Sequence, residues 1–93
     1  MIFNTVFNGA GGASSTYSIT YTNSDVTGPS SASEGETVTV TTENTEWFIL
    51  YVFDTTQSVN ENTIYAGFEN GTATFVMPSH DVYATAYPNG GGN

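Results

Sequence analysis

Seven consecutive apolar or aromatic residues, Trp47-Phe48-Ile49-Leu50-Tyr51-Val52-Phe53, stand between Glu46 and Asp54. In an extended strand Trp47, Ile49, Tyr51 and Phe53 share one face and Phe48, Leu50 and Val52 the other. A strand apolar on both faces has to be covered on both, by its own fold or by a partner. The flanking segments are shorter and alternate. Tyr17, Ile19 and Tyr21 face inward from Thr16–Asn23, and Val38 and Val40 face inward from Glu36–Thr42. Asn70-Gly71 separates two β-rich runs, Thr63–Glu69 and Thr72–Met77, and this dipeptide is the strongest local hairpin signal because both residues tolerate positive φ. Ala73, Phe75 and Met77 then share a face, Pro78 stops the strand, and Val82, Ala84 and Ala86 lie opposite Tyr83, Thr85 and Tyr87.

Two stretches break the alternation. Ser24–Gly35 is polar and carries Gly28-Pro29, which rules out a central strand there. Asp54–Asn62 has Val59 as its one apolar residue and reads as a surface loop, with a short turn of helix capped by Asp54 as the alternative. No segment repeats its apolar residues at helical spacing. The pattern predicts an all-β domain, a small antiparallel sandwich or open barrel of about six strands, Ig-like or β-grasp-like, with an N-terminal extension.

The predicted organisation is an apolar peptide and glycine-rich linker at residues 1–15, a β-domain at 16–88 and a loose tail at 89–93. The extension is unusual in placing Ile2, Phe3, Val6 and Phe7 ahead of Gly9, Gly11 and Gly12. These four residues either form a first strand that folds back, dock as a strand on another protein's sheet edge, or remain a free tail. The glycine tether favours docking, which makes Ile2, Phe3, Val6 and Phe7 the candidate partner-binding residues. A domain this small buries only about 60% of its unfolded surface and gains from a staple or a partner.

Composition removes several staples and several functions. The chain has no cysteine, hence no disulfide and no thiolate metal site, and no lysine for an isopeptide link. Nine acids and no Lys or Arg give a net charge of −9. Nucleic-acid binding depends on basic side chains neutralising phosphates, so no nucleic-acid partner is expected. Attraction to an anionic membrane is disfavoured for the same reason. Met1–Phe7 lacks a basic flank and is interrupted by Asn4 and Thr5, so it does not read as a signal peptide, and no run reaches transmembrane length. The expectation is synthesis in the cytoplasm, with any extracellular life following lysis or assembly.

Candidate chemistry is sparse. Ser79-His80-Asp81 holds the residue types of a hydrolytic triad, but adjacent residues in an extended turn diverge where that mechanism needs convergence. His80 is the only histidine, which precludes a multi-histidine metal site. Calcium is the one metal weighed, with Asp54, Glu61 and Asp81 as ligands, although no spaced acidic loop is present. No cofactor is expected. Six tyrosines and Trp47 either build a sugar-stacking platform or fill the core and its cross-strand pairs.

Gly35-Glu36-Thr37-Val38-Thr39-Val40-Thr41 resembles a strand of small secreted bacterial β-modules. Ala73–Ala86, with Phe75-Val76-Met77-Pro78 and Asp81-Val82, is similar to the ending of surface repeats of the internalin B-repeat (Listeria–Bacteroides repeat) type. The likeness spans Tyr17–Tyr87, and Trp47–Phe53 stands where the family has a Gly-aromatic-x-Phe-x-x-Trp pattern. It implies a non-enzymatic stalk or adhesion module and brings no catalytic residue. The apolar opening before a glycine spacer also resembles small structural proteins of tailed phages. Together these give the expected function: a virion module (capsid decoration, head fibre or tail) held by its N-terminal segment on a capsid or tail protein or on copies of itself. The alternative is a carbohydrate- or host-surface-binding adhesion module, extracellular or on the cell surface, that uses tyrosines such as Tyr83 and Tyr87.

Overall fold

The computed structural model describes residues 15–89, which form eight strands and no helix. They are β1 (Thr16–Tyr21), β2 (Val26–Thr27), β3 (Ser31–Ser33), β4 (Thr37–Thr42), β5 (Trp47–Phe53), β6 (Ile64–Gly67), β7 (Thr72–Val76) and β8 (Val82–Pro88). Five strands in the order β3-β1-β8-β5-β6 make a curled half-barrel, and β2-β4-β7 make a second, smaller sheet. The candidate residues Ile2, Phe3, Val6 and Phe7 lie outside the described residues.

The expected all-β class holds, and three details refine it. The Ser24–Gly35 stretch contains β2 and β3, both very short and both at sheet edges, on either side of Gly28-Pro29. That is where a proline-bearing segment is tolerated. The larger sheet is also mixed: β1 and β8 run parallel, with Ile19 opposite Val82 and Tyr21 opposite Ala84. A parallel pair needs a long crossover, and here the rest of the domain supplies it.

The third refinement concerns Asn70-Gly71. Both residues have positive φ, 55° and 80°, and the Glu69 and Thr72 backbones exchange hydrogen bonds of 2.8 and 3.1 Å across them. The two-residue turn is therefore present. Its strands then part: β6 pairs with β5, and β7 pairs with β4. Asn70-Gly71 is a corner between sheets rather than the tip of a long hairpin.

Between the sheets lies a wholly apolar core. Ile19 from β1, Val38 and Val40 from β4, Leu50 and Val52 from β5, Ala73 and Phe75 from β7, and Val82, Ala84 and Ala86 from β8 are all buried, with Met77 just beyond β7. Among the described residues no polar or charged side chain is buried. Outside the all-apolar β5, alternation separates these residues from the outer face, and the small alanines of β8 let the half-barrel curl tightly around Leu50.

Candidate functional site

The outer faces of the two sheets differ. The small sheet shows water a ladder of threonines, with Thr39 opposite Thr74 and Thr41 opposite Thr72. The large sheet shows tyrosines. Tyr51 lies opposite Tyr65 on β6, and their rings meet edge to face with centroids 4.8 Å apart. The Tyr87 ring packs against Tyr51 from the other side at 4.7 Å, and Phe53 completes the row at 5.8 Å. This cluster answers the demand that both faces of β5 be covered. The Tyr65 and Tyr87 rings pack against Tyr51, Tyr87 lies opposite Ile49, and Phe53 is buried although it belongs to the outer face. The cluster still meets water at its edges, where Tyr65 is 52% and Tyr87 41% exposed.

Of the six tyrosines, Tyr17 and Tyr21 pack against the core, while Tyr51, Tyr65, Tyr83 and Tyr87 belong to this outer face. The sequence signal for Tyr83 and Tyr87 was their opposition to Val82, Ala84 and Ala86. Tyr65 carried the same signal, standing between Ile64 and Ala66. Tyr21 is fixed inward, where its hydroxyl donates to Pro29 O at 2.7 Å and burial pushes its pKa up to about 12.

Trp47 does not share the tyrosine face. The register between β5 and β8 shifts by one residue at Phe48, because Trp47 lies opposite Pro88 and Ile49 opposite Tyr87. Such a bulge sets two residues against one and re-aims a side chain. Trp47 is thereby turned to the inner side, against the core. There, with Phe48 and Phe68, it walls a cleft of about 460 Å³ beside the Thr42–Trp47 connection. Glu43, Asn44 and Asn70 form its polar rim. Phe48 and Phe68 are held side by side by a hydrogen bond from Phe68 N to Phe48 O of 2.8 Å. Two of the connections between the sheets, Thr42–Trp47 and Gly67–Thr72, pass this cleft, and Thr42 N donates to Gly71 O at 2.9 Å to tie them together.

One carboxylate outside the cleft ties two of its lining residues together. Asp25 Oδ1 accepts from the Trp47 indole at 3.0 Å and Asp25 Oδ2 accepts from Asn44 Nδ2 at 2.9 Å. Asn44 Oδ1 in turn accepts from Glu46 N at 2.9 Å. The Asn44 and Trp47 bonds hold the Asp25 pKa below its ordinary value.

The remaining candidates do not converge. His80 Nδ1 bonds the backbone carbonyl of Asp81 at 2.9 Å, while the Asp81 carboxylate accepts from Ser18 N at 2.9 Å. The two side chains are committed to different neighbours. Among the described residues no group of three acids or histidines is placed to hold a metal ion. Asp54 is instead the hub of its own loop. It accepts from Thr56 N at 3.0 Å, from the Thr56 hydroxyl, and from the side-chain amides of Asn60 and Asn62. The loop is a run of turns, and Asp54 caps a turn rather than a helix.

Those donors, Thr56 first and Asn62 next, depress the Asp54 pKa well below its ordinary value. A carboxylate with a lowered folded-state pKa stabilises above its unfolded pKa, and that contribution disappears as pH falls through the folded one. We therefore expect Asp54→Asn to be less stable than the parent at about pH 7, with the gap closing as pH falls from about 4 toward 2. Urea midpoints of the two proteins across that range check it; a gap independent of pH would refute the assignment.

Compared with models of known protein families, with curated proteins and with solved structures, the chain matches none.

Proposed function

We propose that this chain is a non-enzymatic structural and assembly module, a virion protein of the capsid-decoration, head-fibre or tail type held in place by its N-terminal segment. The observation that carries the reading is the order of apolar and glycine residues at the start of the chain: four large apolar residues, Ile2, Phe3, Val6 and Phe7, precede a glycine spacer. An apolar segment that its own tether separates from the domain fits strand addition to a partner's sheet edge. A surface of nine acids and no basic side chain supports a solvent-facing, like-charge-repelling coat.

The test uses particles from the cell that carries the gene. The chain is expected in purified virions, and deleting residues 1–12 is expected to remove it from them while its β-sheet circular dichroism spectrum is kept. Absence of the full chain from virions, or equal incorporation of the shortened one, rejects the proposal.

The aromatic row Tyr51–Tyr65–Tyr87 favours a second reading, a carbohydrate- or host-surface-binding module. Rigid tyrosines with exposed edges, bordered by the hydroxyls of Thr22 and Thr85 that bond each other at 2.8 Å, offer stacking and hydrogen bonding together. Saturable binding on a glycan array, lost in Tyr87→Ala, would select it over the first.

A further inference from the structure

We infer that the cleft walled by Trp47, Phe48 and Phe68 receives a lysine or arginine side chain from a basic segment of a different protein. The inference goes beyond the virion reading and stands without it, because it uses described residues alone.

The chemistry of the cleft selects the occupant. A cation is attracted to aromatic rings, and to an indole most of all. The indole here is pinned by its Nε1 bond to Asp25 at 3.0 Å, so little side-chain entropy is lost when it is engaged. Phe48 is half exposed and stands ready at the wall. Carboxylates flank the rings: Glu43 at the rim and Asp25 behind Trp47 and Asn44. Rings beside carboxylates suit a guanidinium, which can lie on an aromatic face while donating to an acid.

Charge then narrows the source. The chain contains no Lys or Arg. Neither a second copy nor the segment at residues 1–14 can supply the side chain, so the occupant belongs to another protein. A net charge of −9 steers basic segments toward the domain from a distance and repels anionic ligands. An uncharged polymer would gain nothing from this field.

The experiment follows from Trp47 being the single tryptophan, since its indole N–H resonance reports on the cleft alone. The full chain is titrated with a short arginine-containing peptide, with the same peptide carrying citrulline for arginine, and with a chitin oligosaccharide. The arginine peptide is expected to shift the Trp47 indole resonance saturably. Phe48→Ala should weaken it about fivefold, the size of one cation–π contact, and Glu43→Gln about twofold. Both substitutions are at surface positions and should leave the amide spectrum dispersed. Equal binding of the citrulline peptide would overturn the inference by showing a site blind to charge. Saturation by the oligosaccharide would assign the cleft to sugar instead. Shifts scattered over all the acids and untouched by Phe48→Ala would reduce the effect to unspecific attraction.

Discussion

Replacing Gly71 by alanine is expected to destabilise the domain by about 3 kcal/mol, from two separable causes. Gly71 has φ of +80°, a conformation that costs an L-residue about 1–2 kcal/mol. A Cβ there would also sit 2.6 Å from the carbonyl oxygen of Thr42. That oxygen is backbone, at the end of β4, so it cannot swing aside as a long side chain would. Relief requires the corner between the sheets to open, which strains the hydrogen bond from Thr42 N to Gly71 O. Gly35→Ala separates the causes. Gly35 has a similar φ of +87° but open space where its Cβ would go, so this variant should lose about 1–2 kcal/mol from backbone strain alone. Urea unfolding of both variants measures the difference. Equal losses would show that the close approach to Thr42 is unimportant and that the corner is soft.

The same corner shows where the sequence stopped being legible. Asn70-Gly71 announces its turn because positive φ leaves a residue-level signature. Nothing local announces that β6 and β7 then join different sheets, since that depends on which strands find partners across the whole chain. Alternation identified the inward residues of β1 and β4 and sorted those of β7 and β8 into their two faces, because a period of two is a local property. It placed Trp47 with Ile49 and Tyr51, however, and the bulge at Phe48 moved it to the inner side. A bulge adds one residue to one strand, and seven apolar residues in a row give no mark of where the extra one sits. The cleft was hidden for that reason. Its walls come from the start of β5 and from Phe68, and its rim from the Thr42–Trp47 connection and the Asn70-Gly71 corner. The tyrosine face was partly legible: Tyr83 and Tyr87 stood opposite small apolar residues, whereas Tyr51 was masked by equally apolar neighbours.

Leu50→Ala is expected to cost about 3–5 kcal/mol, the upper range for truncating a buried aliphatic side chain. Leu50 is fully buried. It lies on β5 opposite Ala66 on one side and Ala86 on the other. Alanines carry no further atoms to move into the space left behind, so the cavity should persist rather than collapse. A domain of this size is stable by only about 5–10 kcal/mol, and the variant would forfeit a large part of that. Ile49→Ala, one residue away on the half-buried tyrosine side, should cost only about 1–2 kcal/mol, in proportion to the smaller apolar area it takes from water. Denaturant midpoints at constant slope compare the two. A similar loss at both positions would mean that the tyrosine side of β5 is as tightly packed as the core. The aromatic row would then be a second core layer, and the large sheet would have no spare face to offer a glycan.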